Sequence, residues 1–231
     1  MKYCQYKEGI FLERPNRFIA KVEIEGKEEI CHVKNTGRCR ELLIPGTKVY
    51  VEPAKNPNRK TKYDLVQVYK KDRLVNMDSQ MPNALVQEWL EEGGLFSDIT
   101  LLQREKTFGS SRFDLYVEYE GKKAFIEVKG VTLEEDGIAR FPDAPTERGI
   151  KHLQELETCI QQGYEAWIIF VIQMNGVYQF QPNERTHPEF AQALRHAKKA
   201  GVHIEARDCI VEPGEIKINQ KIPVDVAEKK R

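Results

Sequence analysis

Residues 111–129 read SRFDLYVEYEGKKAFIEVK, and this stretch predicts a β-hairpin. Apolar and polar residues alternate on both sides of Glu120-Gly121, which has the composition of a two-residue turn. With that turn the numbers of opposed residues sum to 241, which places Asp114 across from Glu127. A four-residue loop gives the same register, whereas a three-residue loop would shift it.

The pleat of this hairpin sorts its side chains onto two faces. The apolar face is expected to hold Phe113, Leu115, Val117, Ile126 and Val128. The opposite face is expected to hold Asp114, Glu127 and Lys129. Two directly opposed carboxylates repel each other and weaken strand pairing unless a cation lies between them. The hairpin therefore predicts a bound divalent cation, and its oxygen ligands favour Mg²⁺ or Mn²⁺.

Lys129 adds a third chemical group to this face, two residues beyond Glu127. An ammonium at that place can orient an attacking water or stabilise the charge that develops on a phosphate. The alternative is a solvated hairpin face, because Glu-x-Lys tripeptides are frequent in charged proteins. Residues 127–129 end an apolar strand between two predicted amphipathic helices, and this setting favours metal-assisted phosphodiester hydrolysis.

The residues around the hairpin predict an α/β sheet. Helical spacing is found over 84–92, 146–162 and 188–200, and strands are predicted at 99–108, 113–119, 123–129, 166–172 and 202–210. Residues 166–172 are apolar on both sides, which is typical of a strand buried in the middle of such a sheet. The order of elements therefore predicts a mixed central sheet with both faces covered.

The N-terminal residues predict a different architecture, because short alternating strands and turns replace the helices. About five strands are expected before residue 80, including those at 17–24, 29–33, 47–52 and 63–69. Such a series is typical of a small β-barrel. We therefore predict a two-domain chain, with a small β-barrel at 1–80 and an α/β domain at 81–231.

Charge and cysteine content limit the functional classes. The chain of 231 residues has 36 basic and 36 acidic side chains, but residues 1–80 have a net charge of +6 and the remaining residues have a net charge of −6. A basic barrel suits a phosphate backbone. An odd set of five cysteines without a C-x-x-C pair argues against a disulfide framework and favours the cytoplasm. The sequence shows no apolar run long enough to span a membrane.

Several longer motifs resemble one family. They are NTGR at 35–38, ELLIPG at 41–46, SRFD at 111–114, IEVKGVTL at 126–133 and FPDAPTERG at 141–149. These motifs are similar to those of the sugar fermentation stimulation protein A family, and the hairpin resembles the PD-(D/E)xK nuclease superfamily. The resemblance implies an N-terminal OB-fold, a nuclease-like domain, DNA binding and a link to the regulation of sugar metabolism, notably that of maltose.

The superfamily pattern also implies roles for single residues. It places metal ligands at Asp114, Glu127 and the Val128 carbonyl, and it gives Lys129 the catalytic role beside the two carboxylates. Glu88 corresponds to the acidic residue that many members supply from the preceding helix, with Glu91 and Glu92 as rivals. Phe113 stands where the pattern has proline.

Contacts with nucleic acid are predicted from positive and polar residues. The candidates are Arg14, Arg17, Lys34, Asn35, Thr36, Arg38, Arg40, Lys60, Arg112, Arg148 and Lys151. The Asn35-Thr36-Gly37 segment can hold a phosphate, although a plain turn explains the same residues. Thr146 is a candidate N-cap, and the helix that follows presents Arg148 and Lys151. His152 is interpreted as a partly exposed surface histidine, with a general-acid role as the less favoured alternative.

The leading hypothesis is a DNA-binding, metal-dependent nuclease that uses Mg²⁺ or Mn²⁺. The alternative is a non-catalytic DNA-binding regulator that keeps the nuclease fold. RNA is left open as a substrate, as is a homodimer, because a nuclease that cuts both strands can use two active sites. A sugar-metabolising enzyme is disfavoured, because neither G-x-x-x-x-G-K-[ST] nor G-x-G-x-x-G is present.

Overall fold

The basic N-terminal part folds as a closed β-barrel in this computed structural model, which describes residues 1–35, 37–56 and 58–228. Its strands are β1 (Lys7–Asn16), β2 (Ile19–Ile24), β3 (Lys27–Val33), β4 (Lys48–Pro53), β5 (Tyr63–Lys70) and β6 (Arg73–Asn76). Pairing runs from β1 through β2, β3, β5 and β4 back to β1, which closes five strands, and β6 extends β5. Full closure leaves no free edge within the ring. The predicted barrel is confirmed.

The second part contains a six-stranded mixed sheet. Its elements are α1 (Met81–Glu91), β7 (Ile99–Phe108), β8 (Ser111–Tyr119), β9 (Lys122–Val131), β10 (Leu133–Glu135), β11 (Ile138–Phe141), α2 (Glu147–Gln161), β12 (Glu165–Ile172), β13 (Gln179–Pro182), α3 (Pro188–Lys199), β14 (His203–Glu212) and β15 (Glu215–Lys221). The strand order is β15-β14-β12-β9-β8-β7, with β9, β12 and β14 parallel. Strands β10, β11 and β13 form a small separate sheet.

Both faces of the large sheet are buried, as the apolar strand β12 predicts. Ile168 and Phe170 pack with α2 and α3 on one face, whereas Ile169 and Val171 pack with α1 on the other. None of the helices in the described ranges is long and apolar enough to cross a membrane.

The hairpin of β8 and β9 has the predicted register. The paired residues run from Leu115↔Ile126 to Tyr119↔Lys122, and both residues of the Glu120-Gly121 turn have positive φ. One assignment is wrong, however, because Phe113 does not join the face that holds Leu115. It packs against Phe125, with ring centroids 5.5 Å apart, on the α2 side. The pairing with β9 ends at Leu115, and the pairing with β7 omits Asp114 and Glu105, the latter with a φ of 55°, so the regular alternation is interrupted before Phe113.

A polar contact fixes the barrel to the sheet beside this hairpin. The Asn76 N–H donates to the Gln173 carbonyl at 2.9 Å, and the Gln173 amide donates to the Asn76 side chain at 2.9 Å. The Gln173 N–H also donates to the carbonyl of Val131, at the end of β9, at 2.9 Å. The last barrel strand therefore lies at the end of the strand that carries Glu127.

Candidate active site

Glu127 is a buried carboxylate in the middle of the large sheet. It lies on β9 between β8 and β12 and is only 2% exposed. Lys129 Nζ lies 2.5 Å from its Oε1, and His152 Nδ1 contacts the same oxygen. The other oxygen, Oε2, is buried and has no hydrogen-bond partner in the described part of the chain. Since buried polar atoms are nearly always paired, this oxygen is a candidate ligand for a bound group.

Asp114 lies at the point where α1, β8 and β9 meet. Its Oδ2 accepts a hydrogen bond of 2.8 Å from the backbone N–H of Val128, the residue after Glu127. Its Oδ1 accepts one of 2.7 Å from the side-chain amide of Asn83 on α1. The charges of Glu127 and Lys129 both act on the pKa of Asp114, so the three side chains predicted from the hairpin lie near one another.

The electrostatics of this carboxylate pair differ between its members. Burial raises the pKa of Asp114, and the charge of Glu127 raises it further. Burial also acts to raise the pKa of Glu127, but the hydrogen bond from His152 and the ammonium of Lys129 outweigh it and lower this pKa. Ionisation of both groups therefore has a cost, which a cation beside them would remove.

The donor set fits a small, hard divalent ion. Mg²⁺ is commonly held by one or two carboxylates and keeps several water ligands. Asp114 and Glu127 supply two carboxylates, and Oε2 of Glu127 is free of protein donors within the described ranges. Those ranges contain no cluster of three His, Cys, Asp or Glu side chains that could hold a metal alone. Water or the Val128 carbonyl would therefore have to complete the coordination.

His152 is part of this cluster, and its interpretation as a surface histidine is wrong. The side chain is 5% exposed and contacts Glu127. The helix α2 buries Gly149, His152, Leu153, Leu156 and Cys159. This spacing is helical, so the periodicity could have placed His152 on the buried face. Ile150 and Ile160 of the same helix are only partly buried, although both are apolar.

Glu88 does not reach the cluster, so its assignment as a metal ligand is corrected. Its carboxylate binds the N-terminal ammonium of Met1 at 2.9 Å, and that ammonium also donates to Ile216 of β15. Helix α1 contacts β8 and β9 near its start and crosses towards β15, at the opposite edge of the sheet. Asn83, in its first turn, is the residue of α1 that contacts Asp114.

Three of the predicted nucleic-acid contacts have structural roles instead. The Arg14 guanidinium donates to the carbonyls of Arg17, Asn35, Gly37 and Arg38. Lys34 pairs with the buried carboxylates of Asp64 at 3.2 Å and Asp78 at 3.3 Å. The Asn35 side chain donates to the Met77 carbonyl and accepts from the Gly37 N–H. Side chains held in this way are not available to a phosphate, so these assignments are corrected.

Other predicted contacts lie at the surface. Arg17, Arg38 and Arg40 are exposed and line one groove of about 560 Å³ on the barrel. Lys60, Arg112, Arg148 and Lys151 are also exposed, with Arg112 near Glu105 and Lys151 near Glu155. Thr36 lies outside the described residues. The guanidinium of Arg17 lies 4.6 Å from the centroid of the exposed Phe18 ring.

The barrel groove lies close to the candidate active site in the fold. The Arg14 contacts tie the loop at Gly37 and Arg38 to the groove. The same loop faces Gly130, the residue after Lys129, across a cavity of about 150 Å³ that Asp143 also lines. This cavity therefore lies between the loop at Gly37 and the end of β9 that follows Lys129.

Comparison with known proteins gives matches over nearly the whole chain. Residues 12–77 match the family model described as the SfsA N-terminal OB domain, and residues 80–215 match the sugar fermentation stimulation protein RE domain. A sugar fermentation stimulation protein homolog from Ruminiclostridium cellulolyticum is 61% identical and covers 97% of this chain and 99% of its own length. The homolog from Clostridium beijerinckii is 56% identical with the same coverage.

One solved structure has the same fold throughout. Pyrococcus furiosus SfsA, described in complex with Ca²⁺, is 31% identical and superimposes with a TM-score of 0.90. The alignment covers 97% of this chain and 98% of that protein.

Proposed function

The chain belongs to the sugar fermentation stimulation protein family, and from its site we propose that it is a metal-dependent nuclease acting on DNA. The observation that carries this proposal is the buried Glu127 carboxylate, which lies beside Asp114 and Lys129 and has one oxygen without a donor among the described residues. The Ca²⁺ complex of the Pyrococcus furiosus relative supports it, because Ca²⁺ and Mg²⁺ both take oxygen ligands.

The roles of the residues follow from their positions. Asp114 and Glu127 would hold Mg²⁺ or Mn²⁺, with the Val128 carbonyl as a third protein ligand. A divalent ion supplies Lewis-acid stabilisation of negative charge on the scissile phosphate. The Lys129 ammonium, which is mostly buried beside Glu127, adds a fixed positive charge where the phosphate would approach. Asn83 holds the Asp114 carboxylate in place from α1.

A cleavage assay tests the proposal directly. The purified full chain is incubated with single- and double-stranded DNA and RNA in Mg²⁺, Mn²⁺ or EDTA. We expect DNA cleavage that requires the metal and is lost in Lys129→Met, which keeps the alkyl stem and removes the charge. Lys123→Met, an exposed lysine of the same strand, is the matched control and should cut at the wild-type rate.

Two results would contradict the proposal. Intact DNA that the protein nevertheless retards on a gel would favour the non-catalytic regulator. Cleavage that persists in EDTA, or in Lys129→Met, would show that this cluster is not the active site. Products obtained from RNA alone would change the substrate class and leave the mechanism standing.

We further propose that the barrel groove grips the DNA backbone. Changing Arg38 and Arg40 together to Ala should weaken DNA binding in EDTA by about tenfold at low salt. The slope of the logarithm of the binding constant against the logarithm of the salt concentration should flatten by about two units. Each phosphate that is no longer contacted keeps about one counterion. The changes Lys198→Ala and Lys199→Ala together, at exposed positions of α3, remove the same charge and should leave the slope unchanged. Equal slopes for both double variants would place the grip elsewhere.

We also propose that the chain divides into domains at 1–80 and 81–231, that it is located in the cytoplasm and that it forms a homodimer. The link to sugar metabolism rests on the family's name, and we propose that it is indirect and follows from the action on DNA.

A further inference from the structure

The contact between His152 and Glu127 has no part in the superfamily pattern. We propose that His152, oriented by Arg148, is a positioning residue that aims Oε2 of Glu127 at the divalent cation. This inference rests on the proposed function, because it concerns the same metal site.

The position of His152 is fixed from several sides. Its ring is buried and lies in an edge-on arrangement 6.2 Å from the ring of Phe113. Thr146 caps the helix by accepting a hydrogen bond of 3.0 Å from the Gly149 N–H, so the turn before His152 is held in place. The ring therefore approaches Glu127 from one direction.

The contact with Arg148 fixes which ring nitrogen carries the hydrogen. Arg148 Nε lies 3.3 Å from His152 Nε2, one helical turn away. A guanidinium N–H can only donate, so Nε2 must accept and the hydrogen of the ring lies on Nδ1. His152 Nδ1 therefore donates to Glu127 Oε1.

Two donors thus converge on one oxygen of Glu127. Lys129 and His152 both occupy Oε1, and Oε2 is left without a partner among the described residues. A carboxylate on a strand can otherwise rotate and share its donors between both oxygens. The donor on α2 prevents this rotation, so the free oxygen keeps a fixed direction. Removal of such outer partners of metal ligands usually costs about 10- to 100-fold in metal affinity.

Calorimetric titration with Ca²⁺ and with Mn²⁺, on the full chain without nucleic acid, tests the role of His152. His152→Leu should weaken the affinity for the cation by about 10- to 100-fold. His152→Asn should restore most of it, because the Asn amide places a donor near the position of Nδ1. Rescue by Asn would not be expected if the ring served only to fill space.

A second pair of variants covers the case in which His152→Leu does not fold. Arg148→Met and Lys151→Met each remove one exposed positive charge from the first turns of α2. Loss of charge alone should strengthen cation binding slightly in both. We expect Arg148→Met instead to weaken binding, by about threefold or more, and Lys151→Met not to do so.

The outcomes separate the inference from the proposed function. If the wild-type protein binds neither Ca²⁺ nor Mn²⁺, the metal site fails and the inference fails with it. If the wild type binds the cation, equal affinity in His152→Leu or parallel behaviour of Arg148→Met and Lys151→Met overturns the inference alone.

Discussion

Glu127→Gln is expected to lower the rate of Mg²⁺-dependent DNA cleavage by roughly 10³-fold or more. The substitution keeps the shape of the side chain and removes its charge. It also replaces one carboxylate oxygen, which we propose as a metal ligand, by an amide NH2 group that cannot bind a cation. Metal stabilisation of the reacting phosphate accounts for several kcal/mol of such rates. The single-turnover cleavage rate of labelled DNA at saturating protein measures this effect without the binding step.

The control for Glu127→Gln lies on the same hairpin. Glu118→Gln makes the same chemical change on β8, where the carboxylate lies 3.8 Å from Lys123 at the far end of the ladder. This variant should cleave at the wild-type rate. DNA affinity in EDTA should be equal for all three proteins, since we assign the grip to the barrel. Cleavage by Glu127→Gln at the wild-type rate would show that the active-site assignment is wrong.

The fold could be predicted where local chemistry determines it. Gly121 and Glu120 both adopt positive φ, as a two-residue hairpin turn requires, and this turn sets the register of β8 and β9. Similarly, Glu25 and Gly26 have positive φ between β2 and β3. The sequence predicts that β12 lies in the middle of the sheet, because the strand is apolar on both faces and each face needs a covering layer. These features depend on residues that are close in sequence.

The predictions that are wrong depend on how elements that are distant in sequence pack against one another. The position of Glu88 depends on the direction in which α1 crosses the sheet, which its helical spacing does not specify. Asn83 reaches Asp114 because it lies in the first turn of the same helix. Phe113 changes face where the pairing with β9 has ended and the pairing with β7 is interrupted at Asp114, and an alternation pattern contains no signal for that interruption.

Positive residues that are neighbours in sequence have two different environments in the structure: some side chains are exposed, and others are bound by groups of the protein. Arg17 and Arg38 are exposed, whereas Arg14 binds the carbonyls of both. Lys34 is directed at buried carboxylates. A charge count cannot distinguish a phosphate contact from a buried ion pair, because the difference lies in the strands that surround each side chain.

Lys34→Met is expected to lower the free energy of unfolding by about 3 kcal/mol. The carboxylates near its ammonium, those of Glu52, Asp64 and Asp78, are all buried. Arg59 also binds Asp64, but among the residues that the structure describes Lys34 is the cation that contacts Oδ2 of Asp78. The variant would therefore leave a buried negative charge without its cation, and such changes rank among the most destabilising single substitutions. Urea unfolding at pH 7 measures the loss.

The pH dependence of this loss identifies its electrostatic cause. Burial raises the pKa of Asp64, but the hydrogen bond with Arg59 and the charge of Lys34 outweigh it and hold this pKa below its usual value. A carboxylate with a depressed pKa in the folded state stabilises the protein above its unfolded pKa of about 4, and this stabilisation disappears as the pH falls through the folded pKa. The difference in the free energy of unfolding between Lys34→Met and the wild type should therefore be greatest near pH 7 and should shrink below about pH 4.

Lys62→Met, which removes an exposed lysine 3.5 Å from Glu29, should change the free energy of unfolding by less than about 0.5 kcal/mol at any pH. A loss in Lys34→Met that stays constant from pH 7 to pH 3 would mean that Lys34 stabilises the barrel through packing of its alkyl stem and not through its charge.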